Sequence, residues 1–189
     1  MLGELPKTLN VNGTEYDIRS DFRTGLLILQ AFQDPDLTKD EAGMVMLKCL
    51  YKDFASIPIK DMEEAYRQSI WFLNCGEYDE NSRYVPPTRK IYDFEQDAQI
   101  IFSSINKVAG YEVRALDYLH FWTFMGYFNE IGQGTFSTVV SIRDKKRRGK
   151  KLDDWEKKFY RENKSMVDLK RRYTEEELKE LEELDNLFG

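Results

Sequence analysis

Residues 93–148, DFEQDAQIIFSSINKVAGYEVRALDYLHFWTFMGYFNEIGQGTFSTVVSIRDKKRR, indicate the fold class, because apolar residues recur in them at helical spacing. This spacing is typical of amphipathic α-helices. Gly110 and Gly132-Gln133-Gly134 suit helix ends, since glycine tolerates the left-handed closing conformation. The stretch therefore predicts three helices, at about 93–109, 113–131 and 135–148.

Outside this stretch, residues 8–18 (TLNVNGTEYDI) predict a β-hairpin, because Asn12-Gly13 favours a two-residue turn between alternating strands. Such a ribbon is marginal alone, so we expect it to lie on helices. Further helices are predicted at about 20–33, 39–53, 61–74 and 152–170, and from Thr174 onwards. Capping patterns typical of helix starts occur at 38–41, 93–96 and 174–177. The predicted fold is mainly α: a domain of about six to eight helices with an N-terminal β-hairpin (1–149), followed by a charged helical C-terminal extension (150–189).

The composition indicates a globular domain with its own core. The chain has 189 residues, of which 41% are hydrophobic and 33% charged, which excludes general disorder. The most apolar stretch, Leu116–Ile131, contains charges and is too short to span a membrane. The N-terminus lacks the pattern of a signal peptide. Cys49 and Cys75 form no CxxC motif, which favours a reducing, cytoplasmic compartment.

Charge is distributed unevenly along the chain. Residues 1–110 have a net charge of −6, residues 143–173 of +8 and residues 174–189 of −6. The segment 143–151, here called the basic segment, contains Arg143, Lys145, Lys146, Arg147, Arg148, Lys150 and Lys151. We consider three roles for it: contacts with nucleic-acid phosphates, a solvated helix end whose cations suit the helix dipole, or docking of the acidic tail.

No catalytic or metal-binding pattern is found. His120, the only histidine, is interpreted as a hydrogen-bonded core residue, and no nucleophile elbow accompanies it. One histidine and two separated cysteines do not build a common zinc site. Asp153-Asp154 and Glu63-Glu64 are adjacent pairs that diverge on a helix, so we interpret them as helix starts or solvated faces. We expect no enzyme activity, cofactor or metal.

Two apolar stripes remain after the helical domain is assembled. Trp155 and Phe159 recur at helical spacing in 152–170, and the terminal segment places Leu178, Leu181, Leu184 and Phe188 on one side. So short a terminal helix needs a docking surface, on its own domain, another copy or a partner. These six residues are the predicted partner-binding residues.

Two long strings resemble a family of small phage and prophage proteins of Gram-positive bacteria. They are LNVNGTEYDIRSDFRTGLLILQAFQDPDLTKDEAGMVMLKCLY (9–51) and WTFMGYFNEIGQGTFSTVVSIRDKKRRGKKLDDWEKKFYRENK (122–164). The resemblance implies a tail-module protein encoded near the tape-measure gene, acting as a tail assembly chaperone in the cytoplasm of the infected or lysogenic host. Its implied partners are the tape-measure protein or other tail proteins, with self-association as a further option. The family supplies no catalytic residue.

Two other functions are considered beside the chaperone. One is a nucleic-acid-binding accessory protein that uses the basic segment, which the net charge of −6 disfavours. The other is a structural component of the tail or of its completion machinery.

Overall fold

The structure is a computed structural model that describes residues 3–77, 91–170, 174 and 176–181. Its strands are β1 (Thr8–Val11) and β2 (Thr14–Asp17). Its helices are α1 (Phe22–Ala31), α2 (Lys39–Leu50), α3 (Met62–Leu73), α4 (Ala98–Ala109), α5 (Phe121–Asn129), α6 (Thr135–Arg147), α7 (Asp154–Glu162) and α8 (Lys164–Val167), and residues 176–181 are also helical. The predicted mainly α fold with an N-terminal hairpin is confirmed. The predicted helix at 152–170 is divided at Asn163 into α7 and α8.

The chain divides into two compact units. The N-terminal unit contains Pro6–Arg19, Thr24–Glu77 and the described residues beyond 170. The central unit contains residues 3–5, Ser20–Arg23 and the described part of 79–170.

The hairpin of the N-terminal unit has the predicted turn. Asn12 and Gly13 both have positive φ, 50° and 90°, and Leu9 pairs with Tyr16 across the ladder. Leu9 and Val11 are buried, and β1 packs on α3, so the ribbon lies on a helix as expected. The alternation of apolar and polar residues therefore sets which face is buried.

Helix α2 begins as the sequence predicts. The Thr38 hydroxyl accepts a hydrogen bond from the Glu41 amide, and the Glu41 carboxylate accepts one from the Thr38 amide. At the other end, the Arg19 guanidinium donates to the carbonyls of Lys48, Cys49 and Tyr51. These bonds satisfy backbone groups that a helix end leaves without partners.

The central unit corrects one predicted helix. Residues 113–131 do not form a single helix: a short 3₁₀ turn, Val113–Ala115, is followed by α5, which begins only at Phe121. The backbone of 118–121 instead pairs with 20–22, where the Phe22 amide donates to the Leu119 carbonyl at 2.9 Å. His120 is buried and caps α5 by accepting a hydrogen bond from the Trp122 amide, as a core histidine.

The first part of the predicted extension belongs to the central unit. Val167 of α8 forms a buried cluster with Val139 and Ile142 of α6. The partly buried residues packed against this cluster are Ile100, Leu152, Phe159, Tyr160 and Met166. Residues of 152–167 therefore contribute to the core of this unit.

We predict opposite effects for two glycine-to-alanine substitutions in the central unit. Gly110 follows α4 with φ of 82°, so Gly110→Ala should lower the free energy of unfolding by about 1 kcal/mol. Gly126 lies within α5, where an added Cβ meets nothing within 4 Å, so Gly126→Ala should raise it by about 0.5–1 kcal/mol. Urea denaturation measures both values. A stabilising Gly110→Ala would contradict the left-handed helix end.

Candidate partner-binding surface

Arg143 does not belong to an exposed basic patch, which corrects the sequence-based interpretation. Its side chain is buried and forms a bidentate ion pair with Asp97, at 2.5 Å from Nη1 to Oδ2 and 2.9 Å from Nη2 to Oδ1. Asp97 is buried as well, directly before α4. The pair therefore joins α6 to the start of α4.

The remaining donors of Arg143 bind backbone carbonyls. Nε donates to Val167 at 2.6 Å, Nη2 to Met166 at 2.8 Å and Nη1 to Ile91 at 3.1 Å. All five N–H groups of the guanidinium thus have acceptors, which a buried arginine requires. Two of these acceptors are the last carbonyls of α8, so Arg143 fixes that helix end.

Lys145 fastens the start of α7. Its ammonium lies 2.7 Å from Glu156 Oε2 and 3.0 Å from Asp153 Oδ2. The buried Glu156 carboxylate also accepts a hydrogen bond from the Asp153 amide, which completes a capping box. Asp153 and Asp154 therefore form a helix start, as predicted, and Lys145 ties this start to α6.

Lys146 fastens the end of α8. Its ammonium lies 2.6 Å from Asp168 Oδ1 and 3.8 Å from the centre of the Tyr160 ring. The Tyr160 hydroxyl donates to both Asp168 oxygens, at 2.9 and 3.0 Å. Partial burial by itself raises the pKa of Asp168, but hydrogen bonds from Lys146 and Tyr160 and the charges of Lys146 and Lys164 outweigh it and hold that pKa below its ordinary value.

The other cations of the basic segment divide into two kinds. Arg147 and Arg148 both pair with Asp144 on the same helix, with 2.8 Å between Arg148 Nε and Asp144 Oδ2. Lys150 and Lys151 are exposed and form no ion pair with any described residue. Five of the seven basic residues are thus neutralised within the central unit. The carboxylates that pair with them are Asp97, Asp144, Asp153, Glu156 and Asp168, none of which belongs to the acidic tail.

The two predicted partner-binding residues of α7 differ in their burial. Phe159 is half-buried against the cluster of Val139, Ile142 and Val167, so it serves the core of the central unit. Trp155 remains 59% exposed. Glu156 and Phe159 of α7 are therefore held by an ion pair and by packing, while the Trp155 indole, one turn before Phe159, remains largely exposed.

The C-terminal stripe is described in part. Thr174 and Glu177 form the predicted capping box, and residues 176–181 are helical. Leu178 is 47% exposed and Leu181 is 43% exposed. The predicted residues Leu184 and Phe188 lie outside the described residues.

Three features of the described residues bear on catalysis and metal binding. Burial raises the pKa of the Cys75 thiol to about 11, with Glu77 adding to this, which is opposite to the activation of a nucleophile. No group of three or more metal-ligating side chains occurs in the part of the chain that the structure describes. A groove of about 360 Å³ along α4, lined in part by Ser103, Lys107 and Ile131, contains no histidine or cysteine. No helix among the described residues combines the length and hydropathy needed to cross a membrane.

Residues 1–169 match the family model described as Bacteriophage Gp15 protein. The chain belongs to the Bacteriophage Gp15 family. The predicted phage origin is therefore confirmed, and the matched residues of this Gp15 protein include α1 to α8 in full. Comparisons with curated proteins and with solved structures found no match. The helix at 176–181 lies beyond the matched residues.

We predict that Arg143 contributes far more to stability than its exposed neighbour. Arg143→Met leaves the Asp97 charge buried and uncompensated, which should lower the free energy of unfolding by about 3–5 kcal/mol. Arg148→Met, at a side chain that is 56% exposed, should cost less than about 1 kcal/mol. Chemical denaturation compares the two. Similar losses would contradict a central role for the buried pair.

We also predict a pH-dependent contribution from Asp168. Its pKa is lowered in the folded protein, so its contribution is present at neutral pH and is lost as the pH falls through that lowered pKa. At pH 7, Asp168→Asn should lower the free energy of unfolding by at most about 1 kcal/mol, because the pair is partly exposed. The difference from the native protein should shrink below about pH 4. Urea denaturation at several pH values tests this, with Glu162→Gln as the exposed control.

Proposed function

We propose that this Gp15 protein is a non-enzymatic tail assembly protein that acts in the host cytoplasm as a chaperone for the helical tape-measure protein. The observation that carries the proposal is the exposed Trp155 on α7, a helix that Glu156 and Phe159 hold in the central unit. Membership of a bacteriophage family supports the same conclusion.

A fixed, exposed tryptophan is well suited to binding another chain. Its indole offers a large apolar area, and the ion pairs of Lys145 hold the start of α7 in place, so little order must be gained on binding. Leu178 and Leu181 offer further exposed apolar area. Helical segments with an apolar face are the chemistry that such side chains recognise.

The two alternative functions have less support. Nucleic-acid binding depended on the basic segment, but internal carboxylates pair with five of its seven cations. A structural role in the tail is distinguished by mass spectrometry of purified virions. If the protein is present in virions in stoichiometric amounts, a structural role is favoured over a chaperone function.

We predict that Trp155 is needed to keep a tape-measure fragment soluble. Full-length protein and a Trp155→Ser variant are each co-expressed with a fragment from the same phage genome, and the soluble fragment is quantified. Loss of an aromatic anchor should weaken binding by about 30-fold and return the fragment to the pellet. Leu178→Ser combined with Leu181→Ser should act in the same direction.

The matched control is Ile59→Ser, which removes an apolar side chain that is 91% exposed in the N-terminal unit. This variant should keep the fragment soluble. Truncation after Gly149 is unsuitable because it removes Val167 and Phe159 from the core of the central unit. If native protein and Trp155→Ser leave the fragment equally insoluble, the proposal fails. A complex with DNA that weakens steeply with salt would support the nucleic-acid alternative instead.

A further inference from the structure

The exposed face of α7 is cationic as well as apolar. Within 150–170, four acidic side chains pair with lysines: Asp153, Asp154, Glu156 and Asp168. Six exposed cations form no ion pair with any described residue: Lys150, Lys151, Lys158, Arg161, Lys164 and Lys170. Among the acidic residues of 150–170, only Glu162 forms no ion pair with a described residue. Internal pairing therefore leaves an excess of positive charge on this part of the central unit.

Three of these cations, Lys151, Lys158 and Arg161, lie near Trp155 in the sequence, together with the acidic Glu162, which follows Lys158 by one turn. Lys158 follows Trp155 by one helical turn, so both side chains lie on the same side of α7. Lys151 precedes Trp155 by four residues in the approach to the helix, and Arg161 follows Lys158 by three residues, so it extends the cationic surface beyond Lys158. The surface formed by Lys151, Trp155, Lys158 and Arg161, here called the α7 surface, suits an acidic partner that exposes apolar side chains.

The C-terminal segment of this chain has that chemistry. Residues 174–189 contain seven carboxylates and one lysine. In the described helix, Leu178 and Leu181 are exposed one turn apart, and the acidic side chains of Glu176 and Glu180 are on the same short helix. Such a helix is too short to be stable alone in water, so docking its apolar side elsewhere would stabilise it.

We propose that the α7 surface of one copy binds the C-terminal helix of a second copy. Leu178 and Leu181 pack on Trp155, while tail carboxylates face Lys151, Lys158 and Arg161. All three apolar side chains are exposed within one chain, so each copy offers both halves of the contact. The contact is heterologous, because the two copies contribute different surfaces. It does not depend on the proposed client.

The test is the oligomeric state of purified full-length protein, measured by sedimentation velocity over a wide concentration range. The native protein should self-associate, and more weakly at high salt because the charges are exposed. Trp155→Ser and the double variant Leu178→Ser/Leu181→Ser should each weaken association by about 30-fold. Ile59→Ser should associate as the native protein does.

Mixing the two defective variants isolates the heterologous contact. The Trp155→Ser copy retains its C-terminal helix and the double variant retains its α7 surface, so the mixture should form one-to-one dimers and nothing larger. A charge swap tests the ionic part of the contact. Lys158→Glu should weaken association, and adding Glu180→Lys should restore it in part.

The proposal is overturned if the native protein remains monomeric at every concentration. It is also overturned if association survives Trp155→Ser, which would indicate pairing between C-terminal helices. Because no client is present in these measurements, their failure leaves the solubility assay of the proposed function unaffected.

Discussion

The buried ion pair between Arg143 and Asp97 is the interaction on which the central unit depends. Burying two charges is unfavourable unless their remaining hydrogen-bonding groups find partners. Here Asp97 also accepts from the Asp93 amide, and the guanidinium donates to three carbonyls. One side chain thereby connects α6, the approach to α4 and the end of α8.

The fixed position of α8 determines what α7 can present. With the end of α8 held by Arg143 and Lys146, and the start of α7 held by Lys145, the inner face of α7 packs through Phe159. Trp155 then points to solvent as a consequence of this attachment. Arg143, Lys145 and Lys146 of the basic segment thus act within the fold, where they hold α7 and α8 in place.

Features that depend on neighbouring residues were predictable. Three kinds of feature involve only a few consecutive residues, and the structure has them as predicted. They are the Asn12-Gly13 turn, the capping boxes at Thr38 and Thr174, and the left-handed Gly110. The amphipathic spacing of 152–170 placed Trp155 and Phe159 on one stripe, but it did not distinguish the exposed Trp155 from the half-buried Phe159. Asp93 was a partial exception: its carboxylate caps a turn at 95–96, and α4 begins five residues later.

The amino-acid sequence by itself determined the helical class, the hairpin and most helix ends, because these follow from local spacing and composition. Membership of a phage family was indicated by the resemblance of two long strings and shown by the match over residues 1–169. Only the tertiary structure decided that Arg143 is buried, that Phe159 serves the core and that 113–131 is interrupted before Phe121. In each case the partner is distant in sequence: Asp97 lies 46 residues from Arg143, and Ser20 lies about 100 residues from Phe121. The physical reason is that the burial and pairing of a side chain depend on which distant segments pack against it. The spacing of neighbouring residues does not predict that packing.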